Sequence, residues 1–251
     1  MANDSGDRVR MTVLGCAGSS FDLILRYPCS SYLLESDHGA LLLDCGYGSF
    51  DSYQALAPEA RIDAIFVSHA HRDHVADLEQ FMTASEIWRE TPRLIATEDT
   101  MSVTVPMPQP LRAETFVLVG DAQGIELANF TAEFSTTTHK MPTLAVCVSF
   151  GACRVVYSAD TGPTWVIPPQ FVGADVALVE CTLAEREQGD SPYHLDVAEM
   201  SALARELAAK RTVITHVPPR ESGSLRLESA RRHEPDRAFL LATTGLTLAF
   251  N

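Results

Sequence analysis

Short apolar runs rich in Val, Ile and Leu alternate with turn signals along most of the chain. Runs of this length, bounded by Gly, Pro, Asn and Asp, read as strands. The pattern predicts strands over 9–15, 31–35, 40–44, 63–68, 93–96, 115–119 and 126–135. The second half repeats the style over 144–150, 153–158, 176–180, 212–215, 238–242 and 246–250. The pair 144–150 and 153–158, joined through Gly151 and Ala152, reads as a β-hairpin. Helical periodicity is rarer. Residues 77–89 form one candidate, and 196–210 form a clearer one. There Asp196 and Glu199 have the spacing of a capping box, and Val197, Met200, Leu203 and Leu207 make one apolar stripe. Many strands with a few amphipathic helices among them predict an α/β protein of two packed sheets covered by helices.

Composition narrows the class. The chain has 251 residues, 46% of them hydrophobic and 21% charged, as in an ordinary globular protein. That length suits one large domain or two small ones, and no repeat, low-complexity segment or long linker divides it. No run approaches the roughly 20 apolar residues of a membrane span. The net charge of −14 opposes a dedicated nucleic-acid binder, whose affinity would come mainly from neutralising phosphates. Charge is uneven, however: 205–237 carries 8 basic and 5 acidic residues. This stretch reads either as a help to a small anion or as a solvated helix rich in arginine.

The six cysteines at 16, 29, 45, 147, 153 and 181 form no C-x-x-C pair and suit reduced thiols used as small apolar residues. Val13-Leu14-Gly15-Cys16 imitates a lipoprotein cleavage site, but the preceding residues hold two Asp and two Arg and no apolar stretch. The expected location is the cytoplasm.

Chemistry concentrates in Ser68-His69-Ala70-His71-Arg72-Asp73-His74, directly after a predicted strand. Three imidazoles and a carboxylate within six residues bring no packing gain, whereas these groups are the ligands of zinc and similar divalent metals. Other strand ends carry further candidates: Asp44, His139, Asp160 and His216. Each alone is weak, since a polar residue commonly ends an apolar strand; together they are hard to explain structurally.

In that order, Asp44, His69-x-His71-x-Asp73-His74, His139, Asp160 and His216 resemble the ligand series of the metallo-β-lactamase superfamily, and the strand spacing from about 9 to 250 agrees. The resemblance implies a single domain over 1–251 with an αββα sandwich of two mixed sheets, and two divalent metal ions, zinc first and manganese or iron next, at one edge. It implies that His69, His71 and His139 bind one metal, that Asp73, His74 and His216 bind the other, and that Asp160 bridges them. Asp44 would support a metal-binding histidine, and a hydroxide formed between the metals at neutral pH would attack the substrate. Ser158-Ala159-Asp160-Thr161-Gly162 is similar to the phosphodiesterase and ribonuclease Z branch, as is Val179-Glu180-Cys181 followed by Tyr193-His194-Leu195. His194 matches the histidine that assists the leaving group there. Asp44, Asp73 and His194 are thus the catalytic candidates, while His38 and His233 match nothing.

Three activities compete: cleavage of a small cyclic or activated phosphodiester, tRNA 3′ processing, and hydrolysis of a thioester or lactone. A degenerate, non-catalytic member is disfavoured because the whole ligand series is present. Typical ribonuclease Z enzymes carry a long basic arm, in many of them between the ligands equivalent to His139 and Asp160; here Asp160 follows His139 by only 21 residues, and 82–135 holds just three basic residues, Arg89, Arg93 and Arg112. Cyclic ribose phosphodiesterase relatives often have a cysteine-rich structural zinc site, which this chain lacks. The Asp160 bridge and His194 favour phosphorus, and Arg72, Lys140 and Arg220, which flank ligand positions, offer charge to an anion. The expected partner is therefore a small anionic molecule, with no nucleic acid and no membrane. The resemblance also implies a homodimer.

Overall fold

The computed structural model describes residues 8–18, 27–37, 39–88, 91–104, 115–127, 129–218 and 223–250. Fourteen strands are found among them, in two seven-stranded mixed sheets. The first sheet contains β1 (Val9–Gly15), β2 (Ser31–Ser36), β3 (Gly39–Leu43), β4 (Ile62–Phe66), β5 (Arg93–Ala96) and β6 (Phe116–Leu118). The second contains β7 (Gly124–Leu127), β8 (Phe130–Thr136), β9 (Leu144–Phe150), β10 (Cys153–Tyr157), β11 (Val176–Glu180), β12 (Arg211–Thr215) and β13 (Phe239–Leu241). The last strand, β14 (Thr247–Phe250), returns to the first sheet and pairs antiparallel with β1, Phe250 opposite Val9.

Side-chain alternation explains the layers. In β2 and β3, Tyr32, Leu34, Leu41 and Leu43 enter the core between the sheets, while Leu33 and Leu42 face the other way. In β11, Val176 and Leu178 enter the same core, while Ala177 and Val179 meet helices. Both faces of these strands are buried, so the strands read as continuous apolar runs rather than alternating ones. Helices α1 (Ser49–Leu56) and α3 (Leu78–Trp88) cover the first sheet through Tyr53, Leu78, Phe81 and Met82. Helix α5 (Val197–Leu207) covers the second with Met200, Leu203 and Leu207, joined by Ala230 of α6 (Gly223–His233). The capping box of α5 is formed in full: Asp196 accepts from the Glu199 amide, and Glu199 accepts from the Asp196 amide. This is the two-sheet αββα sandwich of the sequence reading.

Several elements differ from expectation. The strand predicted over 126–135 is a hairpin, with β7 and β8 paired from Gly124 opposite Glu133 to Leu127 opposite Phe130. No Gly or Pro separates the two strands, and the one turn residue between them, Asn129, falls within a single predicted run. The helix expected over 77–89 is Leu78–Trp88, preceded by the four-residue α2 (Arg72–Val75); Arg89 lies outside the described residues. Helices α1 and α4 (Glu98–Thr104) were not expected as elements. Helix α6 lies within the basic stretch and exposes Arg231, Arg232 and His233 in its last turn, which fits the solvated-helix reading. Among the described residues, no helix is long and apolar enough to cross a membrane.

Candidate metal centre

Each candidate leaves the carboxyl end of a strand at one edge of the sandwich. Asp44 follows β3, His69 follows β4, His139 follows β8, Asp160 follows β10 and His216 follows β12. Three residues there adopt left-handed backbone: Asp44 (φ 57°), Ala159 (φ 50°) and His216 (φ 56°). For non-glycine residues this conformation costs roughly 1–2 kcal/mol each, and packing must hold it. Two of these residues, Asp44 and His216, are themselves candidates, and the third, Ala159, directly precedes Asp160. Close approach also demands glycine here. A Cβ on Gly18 would lie 2.3 Å from His216 Nδ1, and one on Gly162 would lie 2.1 Å from the Pro192 carbonyl oxygen.

The candidates converge. His69, His71, His139 and Asp160 form one group able to hold a metal, and Asp73, His74 and His216 form a second. Asp160, His194 and His216 make a third, overlapping arrangement. His69, Asp73, His74, Asp160 and His216 are buried, while His71, His139 and His194 are partly open.

Hydrogen bonds fix which nitrogen of each ring faces inward. Ser68 Oγ donates to Asp44 Oδ2 at 2.8 Å, so His69 Nδ1 must donate to Ser68 Oγ, 3.0 Å away. His74 Nδ1 donates to Asp44 Oδ2 at 2.7 Å. His139 Nδ1 donates to the Tyr193 carbonyl at 3.1 Å. Thr182 Oγ1 donates to Glu180 Oε2 at 2.7 Å, so His216 Nδ1 donates to Thr182 Oγ1 at 2.8 Å. Four Nε2 atoms are left facing one small volume, the arrangement by which outer hydrogen bonds orient metal-binding histidines.

The inward-facing atoms crowd one another. His71 Nδ1 lies 2.9 Å from His69 Nε2 and 3.2 Å from His139 Nε2. His74 Nε2 and His216 Nε2 are 3.3 Å apart. Asp160 stands in the middle. Its Oδ1 is buried with no hydrogen-bond partner, 3.3 Å from both His74 Nε2 and His216 Nε2. Its Oδ2 lies 3.6 Å from His69 Nε2 and 3.8 Å from His139 Nε2. A buried carboxylate oxygen without a hydrogen-bond partner is costly unless positive charge sits beside it, so the His and Asp donors here fit divalent metal ions.

The electrostatics agree. Burial pushes the His69 imidazole well below its usual range and lowers His71 and His139 as well, with neighbouring carboxylates opposing it. Neutral imidazole is the form that binds metal. Burial acts the same way on His74 and His216, but Asp160, with Asp44 for His74 and Asp73 for His216, outweighs it and raises both. Burial disfavours the charged forms of Asp73 and Asp160, yet the facing histidines hold both well below the carboxylate range. The carboxylates thus call for positive charge at this point.

His194 sits beside the cluster, its side chain 21% exposed, with Nδ1 donating to buried Glu180 Oε1 at 3.0 Å. Its ring stacks on His216 with centroids 5.7 Å apart. Burial lowers its pKa, but the hydrogen bond and charge of Glu180 overcome this and lift it to about 9. Glu180 also accepts from the Thr161 amide at 2.9 Å and the Thr182 amide at 3.1 Å. In the sequence Glu180 reads only as an acidic strand end; its link to His194 needs the fold. Asp44 lies beneath the cluster, fully buried, and accepts from the Ser68 amide at 2.7 Å and from Tyr157 at 2.7 Å. Arg72 and Lys140 are exposed beside the site, and His233 is exposed away from it on α6. His38, Arg112 and Arg220 lie outside the described residues.

Comparisons with known proteins point the same way. A family model described as a beta-lactamase superfamily domain matches residues 40–217. The chain is 27% identical over 223 residues to a probable metallo-hydrolase, YhfI, of Bacillus subtilis, across 84% of this chain and 87% of that protein. The crystal structure of YhfI, described as a metallo-beta-lactamase fold protein, aligns with a TM-score of 0.80 at 22% identity, over 97% of this chain and all of that one. A diphosphatase of the PhnP family aligns with a TM-score of 0.72 at 22% identity, over 97% of this chain and 98% of that one.

Proposed function

The chain belongs to the beta-lactamase superfamily, and on that premise we propose that it is a dinuclear metal-dependent hydrolase that cleaves a small cyclic or activated phosphodiester. The observation that carries this reading is Asp160, whose two carboxylate oxygens face two separate groups of imidazoles. In this reading His69, His71 and His139 hold one ion, Asp73, His74 and His216 hold the other, and Asp160 touches both. Two such ions lower the pKa of a water between them and offset charge growing on the substrate oxygens. Zinc is the first candidate for these nitrogen and oxygen donors.

The chain's own residues supply the rest. Asp44 fixes His74 and, through Ser68, His69. Glu180 holds His194 and, through Thr182, His216, so one carboxylate orients both a ligand and the proton donor. His194, protonated at neutral pH and partly open, delivers a proton from its ring to the departing oxygen. The diphosphatase and the ribonuclease Z proteins among the similar chains act on phosphorus by their names, which supports phosphorus over carbon. The −14 charge and exposed Arg72 and Lys140 favour a small anion over a polynucleotide.

Metal analysis of the purified protein tests this, followed by a panel of bis(p-nitrophenyl) phosphate, 3′,5′- and 2′,3′-cyclic nucleotides, thioesters, lactones and precursor tRNA. Two ions per chain with turnover of cyclic diesters is the expected result. Thioester or lactone turnover without phosphodiester turnover would replace this reading with a non-phosphorus hydrolase. Efficient pre-tRNA cleavage at physiological salt would remove the preference for small substrates.

A further inference from the structure

The two halves of the candidate centre come from different sheets. Asp44, His69, His71, Asp73 and His74 follow strands of the first sheet; His139, Asp160, His194 and His216 follow strands of the second. A metal site tolerates errors of only about 0.2 Å in ligand distance, so the sheet separation at this edge must be held firmly.

Two tyrosines cross the gap in opposite directions. Tyr32, on β2 of the first sheet, shares a hydrogen bond of 2.5 Å with Thr215 Oγ1 on β12 of the second, one residue before His216. Tyr157, on β10 of the second sheet, donates at 2.7 Å to Asp44 Oδ2 at the end of β3 of the first. That same oxygen receives His74 Nδ1. Both rings are buried and touch, with centroids 5.1 Å apart. Each sheet therefore sends one phenol across the core to a residue adjoining a ligand on the other, and both of those ligands, His74 and His216, belong to the same metal group.

We propose that the crossed pair Tyr32 and Tyr157 positions the metal held by Asp73, His74 and His216, through Thr215 and Asp44 respectively. Both are positioning residues: neither belongs to a ligand group. The inference rests on the dinuclear reading. It also explains why two aromatic residues in a packed core keep hydroxyls, since phenylalanine would fill the same space without needing polar partners.

Tyr157→Phe and Tyr32→Phe keep the rings and remove only the hydroxyls. Thr215→Val breaks the second bond from its other end. Each variant, loaded with zinc and dialysed against chelators of graded strength, is analysed for metal, and its metal-free form is melted. The unaltered chain should retain two ions. Losing a direct hydrogen-bond partner of a ligand typically costs about 10–100-fold in metal affinity; the tyrosines act one step further out, so either variant should release one ion roughly 10-fold more readily and hold the other nearly unchanged. Thr215→Val should match Tyr32→Phe, and the pair combined should do no more than either alone. Two ions held by every variant as tightly as by the unaltered chain, with only the metal-free melting temperature reduced, would overturn the inference and leave the tyrosines as core packing. Fewer than two ions in the unaltered chain would instead remove the dinuclear reading, and this inference with it.

Discussion

The two rims of the sandwich use the same residue type in opposite ways. At the carboxyl ends of the central strands, Asp44 and Asp160 face imidazoles, and Asp160 Oδ1 has no hydrogen-bond partner. At the amino ends, Asp63 accepts from the Ala40 amide at 2.8 Å, and Asp175 accepts from the Arg154 amide at 2.8 Å and from Lys210 at 2.7 Å. There the carboxylates close backbone gaps between neighbouring strands. An aspartate at a strand end therefore says little alone: Asp44 is as fully hydrogen-bonded as Asp175, and what sets the candidate metal rim apart is Asp160, which keeps a buried oxygen unpartnered among imidazoles.

Asp160→Ala attacks the comparison hardest. It removes the one group common to both proposed metal positions, and turnover should fall by on the order of 10³-fold or more, with at least one ion lost on elemental analysis. Full activity with both ions retained would erase the distinction between the rims.

His194→Ala comes next. An alkoxide leaving group needs a proton as its P–O bond breaks, whereas a nitrophenolate barely does. Turnover of a cyclic nucleotide should drop about 10²–10⁴-fold, that of the nitrophenyl ester much less, and metal content should hold. Equal losses on both substrates would assign His194 to positioning, and loss of metal would make it a ligand.

The opposite rim should answer only in stability. Asp175→Ala should cost about 1 kcal/mol and leave turnover unchanged. Burial raises the Asp175 pKa, but the Lys210 and Arg154 bonds outweigh it, so the folded value lies below the unfolded one. The stabilisation is therefore complete above the unfolded value near about 4 and is lost as pH falls through the folded value. Thermal melts at falling pH should show the two proteins converging under acid; a gap that persists or widens there would contradict the assignment.

The smallest effect concerns backbone shape at the candidate metal edge. Ala159→Gly removes the penalty of the left-handed conformation at φ 50°, against the greater freedom of glycine in the unfolded chain. A net gain below about 1 kcal/mol, a rise of roughly 2–4 °C in Tm at most, is expected from calorimetry. A clear loss would mean that packing of the Ala159 methyl outweighs backbone strain.

Much of this molecule was legible before its fold was known. The apolar runs marked most strands because both faces of each sheet are buried, and the α5 capping box was visible in Asp196 and Glu199 because capping is local. The seven proposed metal ligands and Asp44 could be named because imidazole and carboxylate crowded after one strand have no packing purpose and the further strand-end residues complete a series that resembles the metallo-β-lactamase superfamily; His194 was named by that resemblance alone. The hairpin within 124–136 was not legible, since its reversal carries no glycine or proline. Neither were Glu180, Tyr32 and Tyr157 as working parts: a buried acid ending a strand and two aromatics within apolar strands look like ordinary sheet residues.

Residue types and their order set which chemistry was available and roughly where along the chain it lay. Which nitrogen of each histidine faces inward, how Asp160 lies between two groups and how one carboxylate serves both His194 and His216 depend on the packed fold. The cause is distance along the chain. Periodicity and capping act over a few residues, whereas hydrogen bonds that aim this site join positions far apart, 24 residues for Ser68 to Asp44, 30 for His74 to Asp44 and 183 for Tyr32 to Thr215. No local pattern encodes such a contact; the first two exist only once distant strands have paired, and the last only once the two sheets have packed face to face.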